Sequence, residues 1–217
     1  MKTLFIVDVQ KDFYSPDGSL YVNGGEKVVE KIEELIRTDT SINQIVFTVD
    51  WHTPEDHSFK ENGGPWPMHC VQFTPGAAIA PELIEAVISR GFKSIDGKYD
   101  GDDLTRAFLC DTYDVFMKGD VPDQEEYGAF CNCGNEVDGI ISLSGYSEDS
   151  MCYVNPDNDI VVCGLAGDYC VKETIKNLLD IPELKGQFMV YEAGVASIDD
   201  GSNLKNFMSE NKIAAYV

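Results

Sequence analysis

Cys170 ends the run Val161-Val162-Cys163-Gly164-Leu165-Ala166-Gly167-Asp168-Tyr169-Cys170, in which an apolar strand pattern meets a glycine turn and passes directly into a helical pattern beginning near the cysteine. A helix start presents unpaired backbone N–H groups and a partial positive charge. Both lower a thiol's pKa, and the N–H groups can also receive an oxyanion. Cys170 is therefore the expected nucleophile. Cys110, Cys152 and Cys163 read as small buried apolar side chains, and Cys70 as packing beside a histidine. Cys131 and Cys133 form a Cys-x-Cys pair with no partner pair at zinc-finger spacing, so they read as loop thiols.

Two other strand ends offer complementary charges. The first apolar run leads into Asp8, within Asp-Val-Gln-Lys-Asp-Phe, and a later run ends in Lys118-Gly119-Asp120. A strand-end aspartate can act as a base, and can equally hold magnesium, accept a phosphoryl group or cap a turn. Taken singly, Lys118 reads as a surface charge. Beside Cys170 it would favour the thiolate, and the three strand ends together would supply base, cation and thiol. Phosphoryl transfer to Asp8 would leave Cys170 and the histidines without roles.

All three histidines follow one strand: Asp50-Trp51-His52, then His57, then, past a glycine-rich stretch, Trp66-Pro67-Met68-His69-Cys70. Asp50 and His52, two apart on an extended segment, point the same way, and the Pro- and Gly-containing loop can fold His57 and His69 back. Imidazoles with one carboxylate suit a single divalent ion, zinc foremost, while iron(II) and manganese accept the same donors. Any one of these histidines alone would read as an ordinary polar loop residue.

The elements that must position these groups are visible as apolar runs at Leu4–Val9, Ile45–Val49, Tyr113–Met117, Ile160–Leu165, Phe188–Tyr191 and Ile213–Val217. Helical patterns lie at Glu26–Arg37, with Val28, Val29, Ile32 and Ile36 on one face, and at Cys170–Leu179. Such alternation predicts an α/β fold, a single domain over 1–217 with a parallel sheet of about six strands and helices on both faces. In sheets of this kind the ligand crevice lies outside the carboxyl ends of the strands. The Gly- and acid-rich stretches at Ile95–Asp103 and Cys131–Asp159 read as loops or insertions.

Composition excludes other classes. A formal charge of -22, from 16 basic and 38 acidic residues, repels nucleic acid and anionic membrane surfaces, so neither is an expected partner. No apolar run approaches the roughly 20 residues a bilayer crossing needs. Met1–Val9 reads as a buried strand rather than a signal peptide, and an odd number of irregularly spaced cysteines argues for reduced thiols, which together predict a cytoplasmic protein. A homo-oligomer is compatible with everything above.

The joint pattern resembles the isochorismatase-like cysteine hydrolases, in particular their nicotinamidase branch: a first-strand Asp, Asp-x-His, Lys-Gly and Gly-x-Ala-x-x-x-Cys-Val, in that order. The resemblance implies a catalytic triad of Asp8, Lys118 and Cys170. It implies Asp50, His52 and His69 as metal ligands, with His57 as an additional or supporting one. It further implies a cis peptide between Leu165 and Ala166, an oxyanion hole from the N–H groups of Ala166 and Cys170, and a ring pocket of Phe13, Trp66 and Tyr127 with Leu20 and Tyr169 nearby. The activity implied is hydrolysis of nicotinamide, and of pyrazinamide, to the acid and ammonia through a cysteine thioester, the metal orienting the ring. The rival expectations are a relative acting without metal on another small amide, ureido or vinyl-ether substrate, and a catalytically silent metal-binding protein.

Overall fold

The computed structural model describes residues 1–95, 110–137, 139–147 and 150–217. Its centre is a seven-stranded sheet in the order β10-β9-β8-β1-β2-β4-β3, in which every neighbouring pair is parallel. The strands are β1 (Lys2–Val7), β2 (Ile42–Asp50), β3 (Lys93–Ser94), β4 (Thr112–Lys118), β8 (Asp159–Gly164), β9 (Phe188–Val195) and β10 (Ala214–Ala215). All six expected strands form, and the seventh, β3, is a two-residue edge strand too short to show a pattern.

A strand covered on both faces must be apolar at successive positions, and β1 obeys. Leu4 and Ile6 join one core, while Phe5 and Val7 join the other. The first core packs under helices α2 (Gly25–Thr38) and α3 (Pro81–Ser89). Val28, Val29, Ile32, Leu35 and Ile36 form the buried stripe of α2, and a fully buried isoleucine such as Ile32 contributes roughly 1.5–3 kcal/mol. The second core lies under α4 (Lys172–Leu179) and α5 (Ser202–Glu210). A further short helix, α1 (Lys11–Tyr14), follows β1.

The stretch Cys131–Asp159, expected as loop or insertion, instead contains a three-stranded antiparallel sheet of β5 (Asn132–Cys133), β6 (Ile141–Ser144) and β7 (Met151–Val154). Ile141, Leu143, Cys152 and Val154 bury into the second core, so the segment is part of the fold's packing. Of the stretch Ile95–Asp103, only Ile95 lies within the described residues. Cys152, Cys163 and Cys70 are buried as expected, whereas Cys110 is exposed. Among the described residues, no helix is long and apolar enough to cross a membrane.

Candidate active site and metal centre

The sheet extends from β1 to both sides, towards β2 and β4 on one and β8 and β9 on the other, and the candidate residues gather at the carboxyl ends of these central strands. Asp8 directly follows β1 with φ at 50, a left-handed conformation that costs a non-glycine residue of order 1–3 kcal/mol. It is held there because its N–H donates to Thr48 O (3.0 Å) and its Oδ1 accepts from Thr48 Oγ1 (2.7 Å). Lys118 is the last residue of β4, paired in register with Asp50 at the end of β2. Its ammonium is fully buried, 2.9 Å from Asp8 Oδ2, in contact with Asp50 Oδ1 and 4.0 Å from Cys170 Sγ.

Cys170 reaches this cluster from β8. That strand ends at Gly164, where φ is 123 and a Cβ would lie 2.0 Å from Val7 O, so only glycine lets the chain turn so close to β1. A cis peptide joins Leu165 to Ala166, and one π-helical turn, Gly167–Val171, then leads into α4. Ligand atoms of Asp8, Asp50 and Cys170 lie within 4.8 Å of one another. The three strand ends thus converge on one point.

Beside them, Asp50, His52 and His69 form a second group of three buried donors within 4.8 Å. His69 arrives because His52 forms a parallel bridge with Val71, and Asp12 Oδ2 accepts the Cys70 N–H (2.8 Å). His52 Nδ1 donates to Gly119 O (2.9 Å) and Asp56 Oδ2 (3.0 Å), and His69 Nδ1 donates to Pro67 O (2.7 Å). A carbonyl can only accept, so these bonds turn both Nε2 atoms towards Asp50 Oδ2, at 3.6 and 3.8 Å. Two oriented imidazoles and one carboxylate leave coordination positions open, and this donor set fits a divalent metal. Gln10 fixes the carboxylate's backbone: its Oε1 accepts from Asp50 N (2.8 Å) and its Nε2 donates to Asp50 O (2.8 Å) and Ala77 O (3.0 Å).

His57 stands outside this three-donor group. Its Nδ1 donates to Pro122 O (2.7 Å) and its Nε2 lies 3.6 Å from Glu125, though the ring lines the same cavity.

Burial and neighbouring charges pull the groups of the cluster in opposite directions. Burial disfavours the Lys118 ammonium, but Asp50 and then Asp8 outweigh it and hold the group well above its ordinary range. Burial pushes the Asp8 carboxyl up, with Lys118 pulling against it. Burial also opposes ionised Asp50, yet Lys118 and His52 prevail and hold it well below the usual carboxylate range. His52 loses by burial and gains more from Asp50 and Asp56, which push it up to about 10. That field is one a dication would feel as attraction, and a bound ion would displace the proton.

Cys170 departs from expectation. Burial raises its thiol well above the ordinary value, Lys118 opposes, and Asp8 and Asp50 add to the rise. The helix-start argument for a lowered pKa is overridden by desolvation. Burial thus raises both the Cys170 thiol and the Asp8 carboxyl, with Lys118 opposing each rise.

The cavity over these groups brings together every side chain expected at a ring pocket: Phe13, Leu20, Trp66, Tyr127 and Tyr169, with Ala166 and Cys170 at one side. Trp66 Nε1 donates to Tyr127 Oη (2.9 Å), and Tyr169 packs edge-on against Trp66 with centroids 5.2 Å apart. Val22, Asp56, Ser58, Glu125, Glu126 and Ile198 also line it. Of these only Asp56, an acid four residues after His52, carried a signal in the sequence.

No family model matches the chain. A nicotinamidase of Saccharomyces cerevisiae is 28% identical over 201 residues, which span 80% of this chain and 79% of that protein. The crystal structure of the pyrazinamidase of Pyrococcus horikoshii in complex with zinc is similar over 99% of this chain and 98% of that one, at 26% identity and a TM-score of 0.65. That of PnC1 from L. infantum in complex with nicotinate is similar over 100% and 92% of the two chains, at 25% identity and a TM-score of 0.67.

Proposed function

We infer that the chain belongs to the nicotinamidases of the isochorismatase-like fold and hydrolyses nicotinamide to nicotinate and ammonia, and pyrazinamide in the same way. The observation that carries the reading is the buried Lys118 ammonium, 2.9 Å from Asp8 and 4.0 Å from Cys170 Sγ, behind an aromatic-lined pocket onto which Cys170 and the Asp50, His52 and His69 donors open. The likeness to a nicotinamidase along most of the chain supports the same conclusion.

In the reaction, the substrate's flat ring enters between Phe13, Trp66, Tyr127 and Tyr169, with its carboxamide against Cys170. Asp8 takes the thiol proton as Sγ attacks the carboxamide carbon, and Lys118 balances the charge left in a buried site. A carboxylate of raised pKa suits this task, because it accepts a proton readily and remains able to return it. The carbonyl C=O π electrons move onto oxygen, and the tetrahedral oxyanion is received by the backbone N–H groups of Ala166 and Cys170. Such donors are each worth about 3–4 kcal/mol when tested by removal. Protonated Asp8 then gives its proton to the departing nitrogen, the C–N bond breaks, and ammonia leaves behind a thioester.

A water deprotonated by the same Asp8 attacks that thioester, the C–S bond breaks, and nicotinate is released with the thiol restored. A metal held by Asp50, His52 and His69 would supply a Lewis acid for the pyridine nitrogen and so orient the ring. Zinc, present in the similar P. horikoshii structure, is the ion assigned, with iron(II) and manganese as alternatives that metal analysis separates. An odd number of irregularly spaced cysteines fits reduced thiols, which supports a cytoplasmic setting.

The test is ammonia release from nicotinamide by metal-stripped and zinc-restored protein. Activity that is lost on stripping and regained with zinc supports the reading. Undiminished turnover by the stripped protein, or none by the restored one, overturns it.

A further inference from the structure

Ile198 lines the substrate cavity and yet is 48% exposed. It follows β9 in a segment that carries no helix or strand, where an exposed branched apolar side chain would ordinarily be mobile and of little consequence. Its backbone is nevertheless tied down from one place. Asp168, itself buried, accepts the Ile198 N–H on Oδ1 (2.9 Å) and the Asp199 N–H on Oδ2 (3.0 Å). One residue earlier, the Gly167 N–H donates to Ala196 O (2.9 Å). The two segments also touch directly, since a methyl group at Gly167 would lie 2.4 Å from Ser197 Oγ.

Asp168 belongs to the single π-helical turn that carries Cys170. The turn that places the nucleophile therefore also places Ile198, and the distance between sulfur and wall is set by two charge-assisted hydrogen bonds rather than by a flexible loop. The aliphatic walls Leu20 and Val22 come from the segment after α1, whereas Ile198 is the aliphatic wall hydrogen-bonded to the turn that carries the reacting sulfur.

We propose that Ile198 is a specificity-determining wall of the substrate pocket and Asp168 its positioning residue, so that ring substituents are read at a fixed distance from Cys170. The inference rests on the amide-hydrolase reading above. The experiment measures kcat/KM of the zinc-restored enzyme for nicotinamide and for nicotinamides carrying one methyl group at each ring carbon in turn.

Ile198→Ala raises kcat/KM for at least one methylated substrate relative to nicotinamide by about tenfold or more, as a methyl-sized change in an apolar pocket is worth ~10–200-fold. Ile198→Val, which trims one methyl and leaves packing intact, moves the same ratio the same way by less. Asp168→Asn removes one acceptor and shifts that ratio in the same direction, chiefly through KM. The proposal is overturned if all ratios stay unchanged in both Ile198 variants, or if Asp168→Asn slows every substrate by one common factor, which is what a merely structural role produces. A parent enzyme that releases no ammonia from nicotinamide overturns the functional reading itself, an outcome distinct from both.

Discussion

Gly119 follows Lys118 and packs against the His52 ring at the candidate metal centre. Its φ is 72, and a Cβ built there would lie 2.6 Å from His52 Cε1 and 2.9 Å from Nδ1. Carbon atoms in good contact are about 3.5–4.0 Å apart, so in Gly119→Ala the ring or the turn must give by about 1 Å. The ring has little room, because Phe59 and His69 pack edge-on against it at centroid distances of 5.4 and 5.1 Å. Moving it would break the bonds from Nδ1 to Gly119 O and Asp56 that aim Nε2 at the metal position. Losing such support typically costs 10–100-fold in metal affinity, and an L-residue held in the left-handed region costs roughly 1–2 kcal/mol on its own. The two effects separate with a control: Gly91 has φ of 84 with nothing within 4 Å of its would-be Cβ. Calorimetric titration of apo protein with zinc should show Gly119→Ala weakened about 10–100-fold and Gly91→Ala unchanged, while denaturant unfolding shows both destabilised by at least about 1 kcal/mol. Equal zinc affinities for Gly119→Ala and the parent, or an equal loss in both variants, would refute the reasoning.

Thr48→Val removes a bond that lowers the Asp8 carboxyl against the rise caused by burial. Asp8 serves as base only when ionised, so activity falls as pH drops through its pKa. The variant's acid limb of kcat/KM at saturating zinc should therefore move to higher pH, and an unmoved limb would contradict the assignment of Asp8. Gln10→Leu leaves Asp50 N, Asp50 O and Ala77 O without their side-chain partner. With each buried orphan costing about 1–3 kcal/mol, denaturant unfolding should show a loss of at least about 3 kcal/mol, together with weaker zinc binding.

Much of this site could be read from residue order because parallel strands buried on both faces demand continuous apolar runs, and the groups that follow such runs share one sheet edge. Asp8, Asp50, Lys118 and Cys170 were legible on that ground. The antiparallel sheet was not: β6 and β7 have four residues each, carry serine, cysteine and tyrosine, and sit among glycines and acids that mimic loop composition. Nor was the direction of the Cys170 shift, since a local helix start argues for a lower thiol pKa and only the surrounding burial reverses it. His57 is one of up to four candidate ligands by type and position, but its Nδ1 bonds to Pro122 O and its Nε2 lies 3.6 Å from Glu125, both distant in sequence, which puts it outside the three-donor group. Glu126 is invisible as sequence for a similar reason. It is an acid among acids until the fold has it accept the Gly119 N–H at 2.8 Å and the Tyr146 N–H at 3.3 Å.

The central claim is that the Cys170 sulfur forms the covalent intermediate. The direct measurement is single-turnover ammonia release from nicotinamide by zinc-loaded Cys170→Ala against the parent, with zinc content and circular dichroism confirming an intact site. Removal of a nucleophile that works as a unit with its base should lower the rate at least about a thousandfold. A folded, zinc-loaded variant that retains a rate within tenfold of the parent would contradict the account.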